Sequence, residues 1–392
     1  MGEKQKAGIS RRKFLKYGTV AVAAAAVAAG GYGLYESTKP APTTTTLGST
    51  STSVLKQKIA DEGTLTIYGY GATFSKAQDI MGPKFVKLIS DTYGVTVKVE
   101  YFPSTSSDTY AKLKAVPGKP PMDVAYMSPP WPLKAKDEGL TVPFVNLLPP
   151  DVVQKAPWFV DPDGYYLGFH FDSFGIVVDK ARAPYMPTSF KDLTDPAWKG
   201  KLIYQYPWQL QYLIIAGAAS AGLSYKTKEG EDAGIQFVKK VHDNSYVITS
   251  GSGPTIPYWQ RKEPLIGPWW WSKGTSLKAG GLTVEWVAPK EGSIFAPDYL
   301  HLTKGARAPT LAIEWMKFMF TPDFAAPKEL TMADQLDYAI WPPFSWPNLP
   351  ADMQSYLPKN GDAWLKSGIA VDWKYVSDNI DRWAKRYEAE VV

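Results

Sequence analysis

The chain contains no cysteine, which excludes disulfides, thiolate metal ligands, cysteine nucleophiles and iron–sulfur ligation. A lipid-modified N-terminal cysteine is excluded for the same reason. Histidine is also scarce, and His170, His242 and His301 show no metal-ligand spacing. We therefore predict neither a metal centre nor a resident cofactor.

The body of the chain lacks a basic surface. The net charge of +5 arises entirely within residues 1–35, which carry six basic side chains and one acidic side chain. The rest of the chain has equal numbers of basic and acidic side chains. A nucleic-acid-binding protein keeps a basic stripe on its folded body, so we predict no nucleic-acid partner.

No long apolar run occurs after residue 35. The long apolar run that precedes this position lies in an N-terminal leader. Arg11 and Arg12 precede Phe14, Leu15 and Lys16, and an apolar run follows at residues 19–35. This pattern resembles the twin-arginine export signal, so we assign residues 1–35 to a signal. Small residues at 26–28 suit cleavage, whereas an uncleaved run of 17 residues would be a weak anchor. The alternative is a chance arginine pair before an N-terminal membrane helix.

A segment rich in threonine, serine and proline follows the apolar run, and we assign residues 36–60 to an extended stalk. Its composition also suits O-glycosylation. Such a stalk favours a protein that is retained near the membrane by its N-terminus. The alternative is a flexible leader without a function of its own.

From residue 61 onward, strand-like runs alternate with amphipathic helical stretches, which predicts a mostly parallel sheet covered by helices. The apolar and alternating patterns predict strands at residues 65–68, 95–101, 123–127, 175–178, 202–204, 265–267 and 282–287. They predict helices at residues 75–92, 110–115, 209–221, 231–242, 309–320 and 372–389.

Two such α/β units without an internal repeat indicate two lobes with a cleft between them. We assign residues 61–168 and 288–325 to the first lobe, and residues 169–287 and 326–392 to the second. The chain is expected to cross between the lobes near residues 167–175 and 287–295. Ligands of open parallel sheets bind beyond the carboxyl ends of the strands, which directs attention to residues 69–75 and 128–131.

Several short segments, in a fixed order, resemble the extracellular solute-binding proteins of the iron(III), spermidine/putrescine and related ABC importers. The resemblance covers nearly all of residues 62–392 and rests on segments at 68–69, 92–97, 121–124, 138–144, 163–168, 187–202, 289–292, 304–306 and 321–323. It implies a type II periplasmic-binding-protein-like fold, with a hinged crossover between two lobes. It also implies a monomer that binds a small solute by lobe closure and delivers it to an ABC permease, and no enzymatic activity.

Aromatic, hydroxyl and amide side chains collect at the predicted strand ends, which suits sugars or other polar organic solutes. The candidate ligand-binding residues are Tyr70, Thr73, Phe74, Ser128, Trp131, Tyr206, Trp208, Gln209, Trp269, Trp271 and Asp298. Asp298 is included because residues 295–298 resemble a ligand loop of the family. About half of the aromatic side chains are expected to serve packing instead. Lys273 and Thr275 could hold an anion.

Other ligands and functions stay open. Polyamine-binding members of the family carry acids after the strand that corresponds to residues 202–204, and here residues 205–209 contain none. Ferric-binding members use a pair of adjacent tyrosines late in the chain, whereas Tyr165 and Tyr166 lie on the expected crossover strand.

An exported enzyme is the main alternative function, but the dinucleotide, Walker, HExxH and GxSxG motifs are incomplete or missing. A cell-surface adhesion protein is disfavoured by the α/β pattern.

Overall fold

The computed structural model describes residues 52–392, apart from residues 72, 156–159, 339–342, 359–363 and 365. The predicted export signal and most of the predicted stalk therefore lie outside the described residues. Among the described residues, no helix is both long enough and apolar enough to cross a bilayer.

The strands of the described residues form one mixed sheet. They are β1 (Thr64–Gly69), β2 (Lys98–Pro103), β3 (Val124–Met127), β4 (Thr141–Val142), β5 (Leu167–Asp179), β6 (Leu202–Gln205), β7 (Ser245–Thr249), β8 (Ile266–Trp270), β9 (Val284–Val287) and β10 (Ile294–Thr303). Their order is β2-β1-β3-β10-β5-β8-β6-β7, with β4 beside β10 and β9 beside β5.

Helices cover the sheet. They are α1 (Thr52–Glu62), α2 (Thr73–Tyr93), α3 (Ser106–Ala115), α4 (Trp131–Asp137), α5 (Pro150–Gln154), α6 (Leu210–Ser220), α7 (Lys228–Asp243), α8 (Ser252–Gln260), α9 (Trp271–Ala279), α10 (Pro309–Met319), α11 (Pro322–Ala325), α12 (Met332–Tyr338), α13 (Ala351–Gln354) and α14 (Trp373–Glu390). Short 3₁₀ turns lie at Val145–Leu147, Phe190–Thr194, Pro196–Trp198 and Pro343–Asn348.

The two outer parts of the sheet are parallel. β1 pairs with β2 and β3 at one end, and β6 pairs with β7 and β8 at the other. Between them run β5 and β10, two long strands that pair antiparallel to each other. Each parallel part is built from strand–helix–strand units, as the alternating sequence pattern predicts.

The buried apolar side chains divide into two main cores, and both long strands contribute to each. Phe169 on β5 and Leu300 on β10 lie in the first core, together with helices α2 and α10. Phe174 on β5 and Ile294 on β10 lie in the second core, together with α6, α7 and α14. The chain therefore passes between the cores within β5 and again within β10.

The local sequence explains where several helices begin and end. Thr227 caps α7, because its side-chain oxygen accepts a hydrogen bond from the Gly230 amide. Asp372 caps α14 in the same way, through the Tyr375 amide. Gly94 ends α2 with a φ of 66°, a left-handed conformation that glycine adopts without a steric cost.

Three details differ from the sequence-based expectations. Residues 52–60, which composition assigns to the stalk, are helical in α1, where Ile59 is fully buried. The second strand begins at Lys98, three residues later than the alternating pattern suggests. Leu330 and Tyr338, which the predicted boundaries place in the second lobe, lie in the first core.

Candidate functional site

A hydrogen-bonded group of polar side chains lies where β1, β3, β5 and β10 meet. The Tyr70 hydroxyl donates to Asp298 Oδ1 at 2.9 Å, and His170 Nδ1 lies 2.7 Å from Asp298 Oδ2. The Tyr70 hydroxyl also lies 3.2 Å from Ser106 Oγ, which in turn lies 3.1 Å from Ser128 Oγ. We call Tyr70, Ser106, Ser128, His170 and Asp298 the central cluster.

Burial shapes the chemistry of the central cluster. Burial raises the pKa of Tyr70 well above its ordinary value, and the nearby Asp298 carboxylate adds to the effect. Tyr70 therefore stays protonated and keeps its hydroxyl as a donor toward Asp298. Serine hydroxyls on the other side of Tyr70 can both donate and accept, so the cluster presents mixed hydrogen-bonding capacity.

Asp172 lies on β5, close to where the chain passes from one core to the other. Its carboxylate accepts hydrogen bonds from the Ser272 hydroxyl, from the Ser272 amide at 3.2 Å and from the Ser173 amide at 2.7 Å. Burial raises the pKa of Asp172 to about 6, although the hydrogen bonds from Ser272 oppose the shift. Ser272 is the second residue of α9, so this contact ties the start of that helix to β5.

A cavity of about 420 Å³ opens beside these residues, at the helices that follow β1, β7 and β8. Its lining comes from α2, α8, α9, α12 and the turn after α9, and consists of Thr73, Ile256, Gln260, Lys273, Ser276, Leu277, Gly280, Leu282, Ala333, Asp334 and Asp337. Its size is within the range of small-molecule sites. Thr73 begins the helix that follows β1, and the rest of the lining comes from the sides and ends of α8, α9 and α12 and from the turn after α9.

Hydrogen bonds join three polar side chains that line this cavity. Asp337 on α12 accepts hydrogen bonds from the Thr73 hydroxyl on α2 and from the Lys273 ammonium on α9. Burial alone would raise the pKa of Asp337, but Lys273, Thr73 and the nearby His170 hold it below its ordinary value. Asp337 is therefore ionised at neutral pH.

Five of the predicted site residues lie at or beside these two features. Tyr70, Ser128 and Asp298 belong to the central cluster, and Thr73 lines the cavity. Phe74 packs between them, with ring-centroid distances of 5.1 Å to His170 and 5.2 Å to Tyr70.

The structure places the other predicted residues elsewhere. Trp131 begins α4 and packs against Tyr110 at 5.2 Å. Tyr206 stacks on Tyr387 of α14 at 3.9 Å and donates to Glu388. Trp208 is partly exposed in the turn before α6.

Gln209 and two of the three consecutive tryptophans are buried. The Gln209 side chain is fully buried and donates to the Pro268 carbonyl at 2.9 Å. Trp269 is 1% exposed and stacks parallel to Trp259. Trp271 begins helix α9 instead of continuing the strand, and it packs beside Phe171. In this structure Gln209 and Trp269 serve packing within the second half of the sheet.

Sequence reasoning did not assign a role to Ser106, Asp172 or Asp337. His170 and Asp172 carried one usable signal, since two ionisable residues interrupt an otherwise apolar strand. Asp337 carried none, because it lies 264 positions from its partner Thr73. Among the described residues, no group of three or more His, Asp or Glu side chains is arranged to hold a metal ion.

Comparisons with known proteins agree with this geometry. The fold has two α/β cores that are joined by long strands, and polar side chains lie at the strand ends. These features define the class of two-lobed periplasmic binding proteins. A family model described as bacterial extracellular solute-binding protein matches residues 119–349, more than half of the chain. The chain belongs to that family.

A curated relative and several solved structures support the same assignment. The spermidine/putrescine-binding periplasmic protein of Escherichia coli (strain K12) is 28% identical over 241 residues, which cover 58% of this chain and 67% of the relative. The periplasmic binding protein AfuA from Actinobacillus pleuropneumoniae, with fructose-6-phosphate bound, has 22% identity and a TM-score of 0.65 over 84% of this chain and 98% of that one.

An ABC transporter protein from Clostridium perfringens ATCC 13124 has 16% identity and a TM-score of 0.63 over 84% of this chain and 100% of that one. The likeness to this structure and to AfuA confirms the predicted two-lobed fold. The family is one of transport substrate-binding proteins and not of enzymes.

Proposed function

We propose that this protein is the solute-binding component of an ABC-type importer, which binds a small polar solute and delivers it to a membrane permease. The family assignment supports the class of function. The observation that carries the proposal is this cavity, because its lining includes Thr73 from a first-core helix and Lys273 from α9, the helix that follows β8 in the second half of the sheet. A solute held there would contact both lobes at once.

Such contacts would couple binding to lobe closure. A ligand shifts an equilibrium between two conformations only by its difference in affinity for them. A solute that touches both lobes only when they are closed therefore favours closure, and a hinge-like change within β5 and β10 would permit it. The closed form is the one that a permease would recognise.

The contacts also support a division of the chain into lobes. We place the exchange points within β5, between Phe169 and Phe174, and within β10, between Ala296 and Leu300, because these side chains belong to different cores. Among the predicted residues, Thr73 is the ligand contact that we favour, because it lines the cavity, whereas Tyr70, Ser128 and Asp298 of the central cluster lie outside the lining. Phe74 would support them by packing.

The family and the predicted leader support a location for the protein. We propose that the protein acts outside the cytoplasmic membrane, that the twin-arginine pattern at Arg11 and Arg12 directs its export, and that it works as a monomer. The stalk would keep it near the membrane if the apolar run of residues 19–35 is retained.

A thermal-shift screen tests the function. The purified protein should gain thermal stability with one class among sugars, sugar phosphates, polyamines, amino acids, oxyanions and ferric chelates, because a ligand that binds only the folded state stabilises it. Small-angle scattering should show a more compact particle with that solute, and the solute should be recovered chemically unchanged. Turnover of the solute, or the same scattering profile with and without it, would contradict the proposal.

A further inference from the structure

The charged side chains that line the cavity balance one another. Lys273 forms an ion pair with Asp337, and Asp334 forms one with Lys76 of α2, which does not line the cavity. The Lys273 and Asp337 side chains are only 19% and 8% exposed, so water screens this pair poorly. The lining thus carries one ammonium and two carboxylates, and together with Lys76 these four charges sum to zero.

Both partners of this ion pair keep unused hydrogen-bonding capacity. An ammonium group has three donors, and the structure shows Lys273 using one of them on Asp337. A carboxylate has about four acceptor positions, and Asp337 uses two of them for Lys273 and Thr73. A ligand can therefore bind to each partner without breaking the pair.

From this arrangement we infer that the solute is a small zwitterion, with one carboxylate and one ammonium group joined by a short aliphatic part. This inference rests on the proposed solute-binding function. The carboxylate binds Lys273, the ammonium binds Asp337, and the aliphatic part lies against Ile256, Leu277 and Leu282, which also line the cavity. The cavity then remains neutral after binding.

Ions of a single sign fit the cavity less well. A polyamine would bring ammonium groups beside Lys273, and the resulting repulsion in a poorly screened site opposes binding. A sugar phosphate would bring two negative charges beside Asp337 and Asp334. In either case a partly enclosed charge would lack a partner, which is costly away from water.

The proposed contacts join the two lobes. Lys273 lies on α9, whose Leu277 packs with Trp269 in the second half of the sheet. Asp337 precedes Tyr338, which is buried in the first core and packs against Phe74. A zwitterion that binds Lys273 and Asp337 therefore adds to the contact between α9 and α12, which already pack through Ala279 and Leu336.

Matched sets of small molecules test the inference by calorimetric titration. The first set is the zwitterion leucine with isopentylamine, which lacks the carboxylate, and isocaproate, which lacks the ammonium group. The second set is the zwitterion γ-aminobutyrate with butylamine, which lacks the carboxylate, and butyrate, which lacks the ammonium group. In at least one set the zwitterion should bind roughly 10- to 100-fold more tightly than either partner compound, as expected for one charge-assisted hydrogen bond. Equal binding of the amine or the acid would overturn the inference.

Two variants assign the roles of the charges. Lys273→Met should weaken zwitterion binding roughly 10- to 100-fold and bring its affinity close to that of the amine, whereas Asp337→Asn should bring it close to that of the acid. Lys278→Met is the matched control, because Lys278 lies on the same helix and pairs with Glu285. Circular dichroism spectra should show that all three variants keep the native fold, and if one of the two cavity variants does not fold, the other still decides.

The outcomes separate this inference from the proposed function. Tight binding of spermidine or fructose-6-phosphate, with no response to any zwitterion, would overturn the inference and leave the solute-binding function in place. No response to any class of solute in the full screen would overturn both. Unchanged zwitterion affinity in both cavity variants would show that the solute binds elsewhere.

Discussion

The proton on Asp172 contributes to the stability of the folded protein at low pH. Burial raises its pKa from 3.8 to about 6, so the folded protein binds this proton more tightly than the unfolded chain does. Its contribution to stability is therefore fully present below the unfolded pKa of 3.8, and it is lost as the pH rises through about 6. At neutral pH the ionised carboxylate depends on the hydrogen bonds from Ser272 and Ser173.

Replacing Asp172 by asparagine should remove this pH dependence. Relative to the native protein, Asp172→Asn should gain up to about 3 kcal/mol of unfolding free energy between about pH 4 and about pH 7, since a shift of two pKa units corresponds to roughly that energy. Urea denaturation without solute at several pH values measures the difference. Asp91→Asn, on the exposed surface of α2, should show no such trend. A constant difference for Asp172→Asn would contradict the prediction.

His301 has the opposite effect in nearly the same pH range. Burial lowers its pKa from 6.5 to about 4, so the folded protein resists its protonation. Its contribution to stability is present above pH 6.5 and is lost as the pH falls through about 4. Between these values it offsets the contribution of Asp172, and the native protein should show a flatter stability profile than Asp172→Asn does.

At the scale of elements, helices α6 and α7 approach closely because glycines lie at their contact. A Cβ atom on Gly234 would lie 2.6 Å from the Ile214 carbonyl oxygen, and one on Gly217 would lie 2.5 Å from Phe237 Cβ. Neither glycine has a positive φ, so the requirement is one of space and not of backbone conformation.

A pair of alanine substitutions tests this packing. Gly234→Ala should lower the unfolding free energy by about 1–3 kcal/mol, because a backbone carbonyl must move to admit the methyl group. Gly253→Ala in α8 is the matched control, since nothing lies within 4 Å of the added Cβ. It should raise stability by about 0.4–1 kcal/mol through the loss of unfolded-state freedom. Equal effects in urea denaturation would contradict this account.

The elements were largely predictable, and the contacts between them were not. Apolar spacing predicted α2 and α7 nearly to their ends, because one buried face produces a periodic pattern. It predicted only the end of β5, since His170 and Asp172 interrupt the apolar run where the strand carries site residues. Composition assigned residues 52–60 to a stalk, because the threonine- and serine-rich segment continues into α1.

The candidate site was predictable only in part, for a related reason. Tyr70 and Ser128 directly follow short strands, and Thr73 begins the helix after one of them, so the strand-end rule was sufficient to select them. Ser106 and Asp337 meet them only through the tertiary fold. Gln209 and Trp269 also lie near strand ends, but their side chains point into the packing between β6, α8 and β8, and a sequence pattern does not distinguish these two directions.

At the scale of the whole molecule, the last helix connects the two lobes. α14 packs on the second core through Trp383 and Tyr387. It also reaches α4, which follows β3 in the first lobe. Asp381 lies 3.0 Å from Lys134, and Lys374 lies 3.6 Å from Asp137. Because α4 and α14 pack on different cores, we expect lobe opening to separate these ion pairs, so they should favour the closed form.

Distance measurements between spin labels can test this bias, because a chain without cysteine accepts labels at chosen sites only. Lys87→Cys on α2 and Lys228→Cys on α7 are suitable, with side chains 74% and 83% exposed on opposite lobes. In this background and without solute, Asp381→Asn should lower the ratio of closed to open molecules by up to about fivefold, since an exposed ion pair contributes about 0.2–1 kcal/mol.

Salt and a matched control distinguish this effect from a general loss of charge. Raising the ionic strength from about 10 mM to about 1 M should reduce the closed fraction of the native background and leave Asp381→Asn much less affected, because screening removes the same interaction. Glu100→Gln should change nothing, since Glu100 pairs with Lys98 inside the first lobe. A closed fraction that is insensitive to both salt and Asp381→Asn would show that closure depends on the cavity and the central cluster, without a contribution from α14.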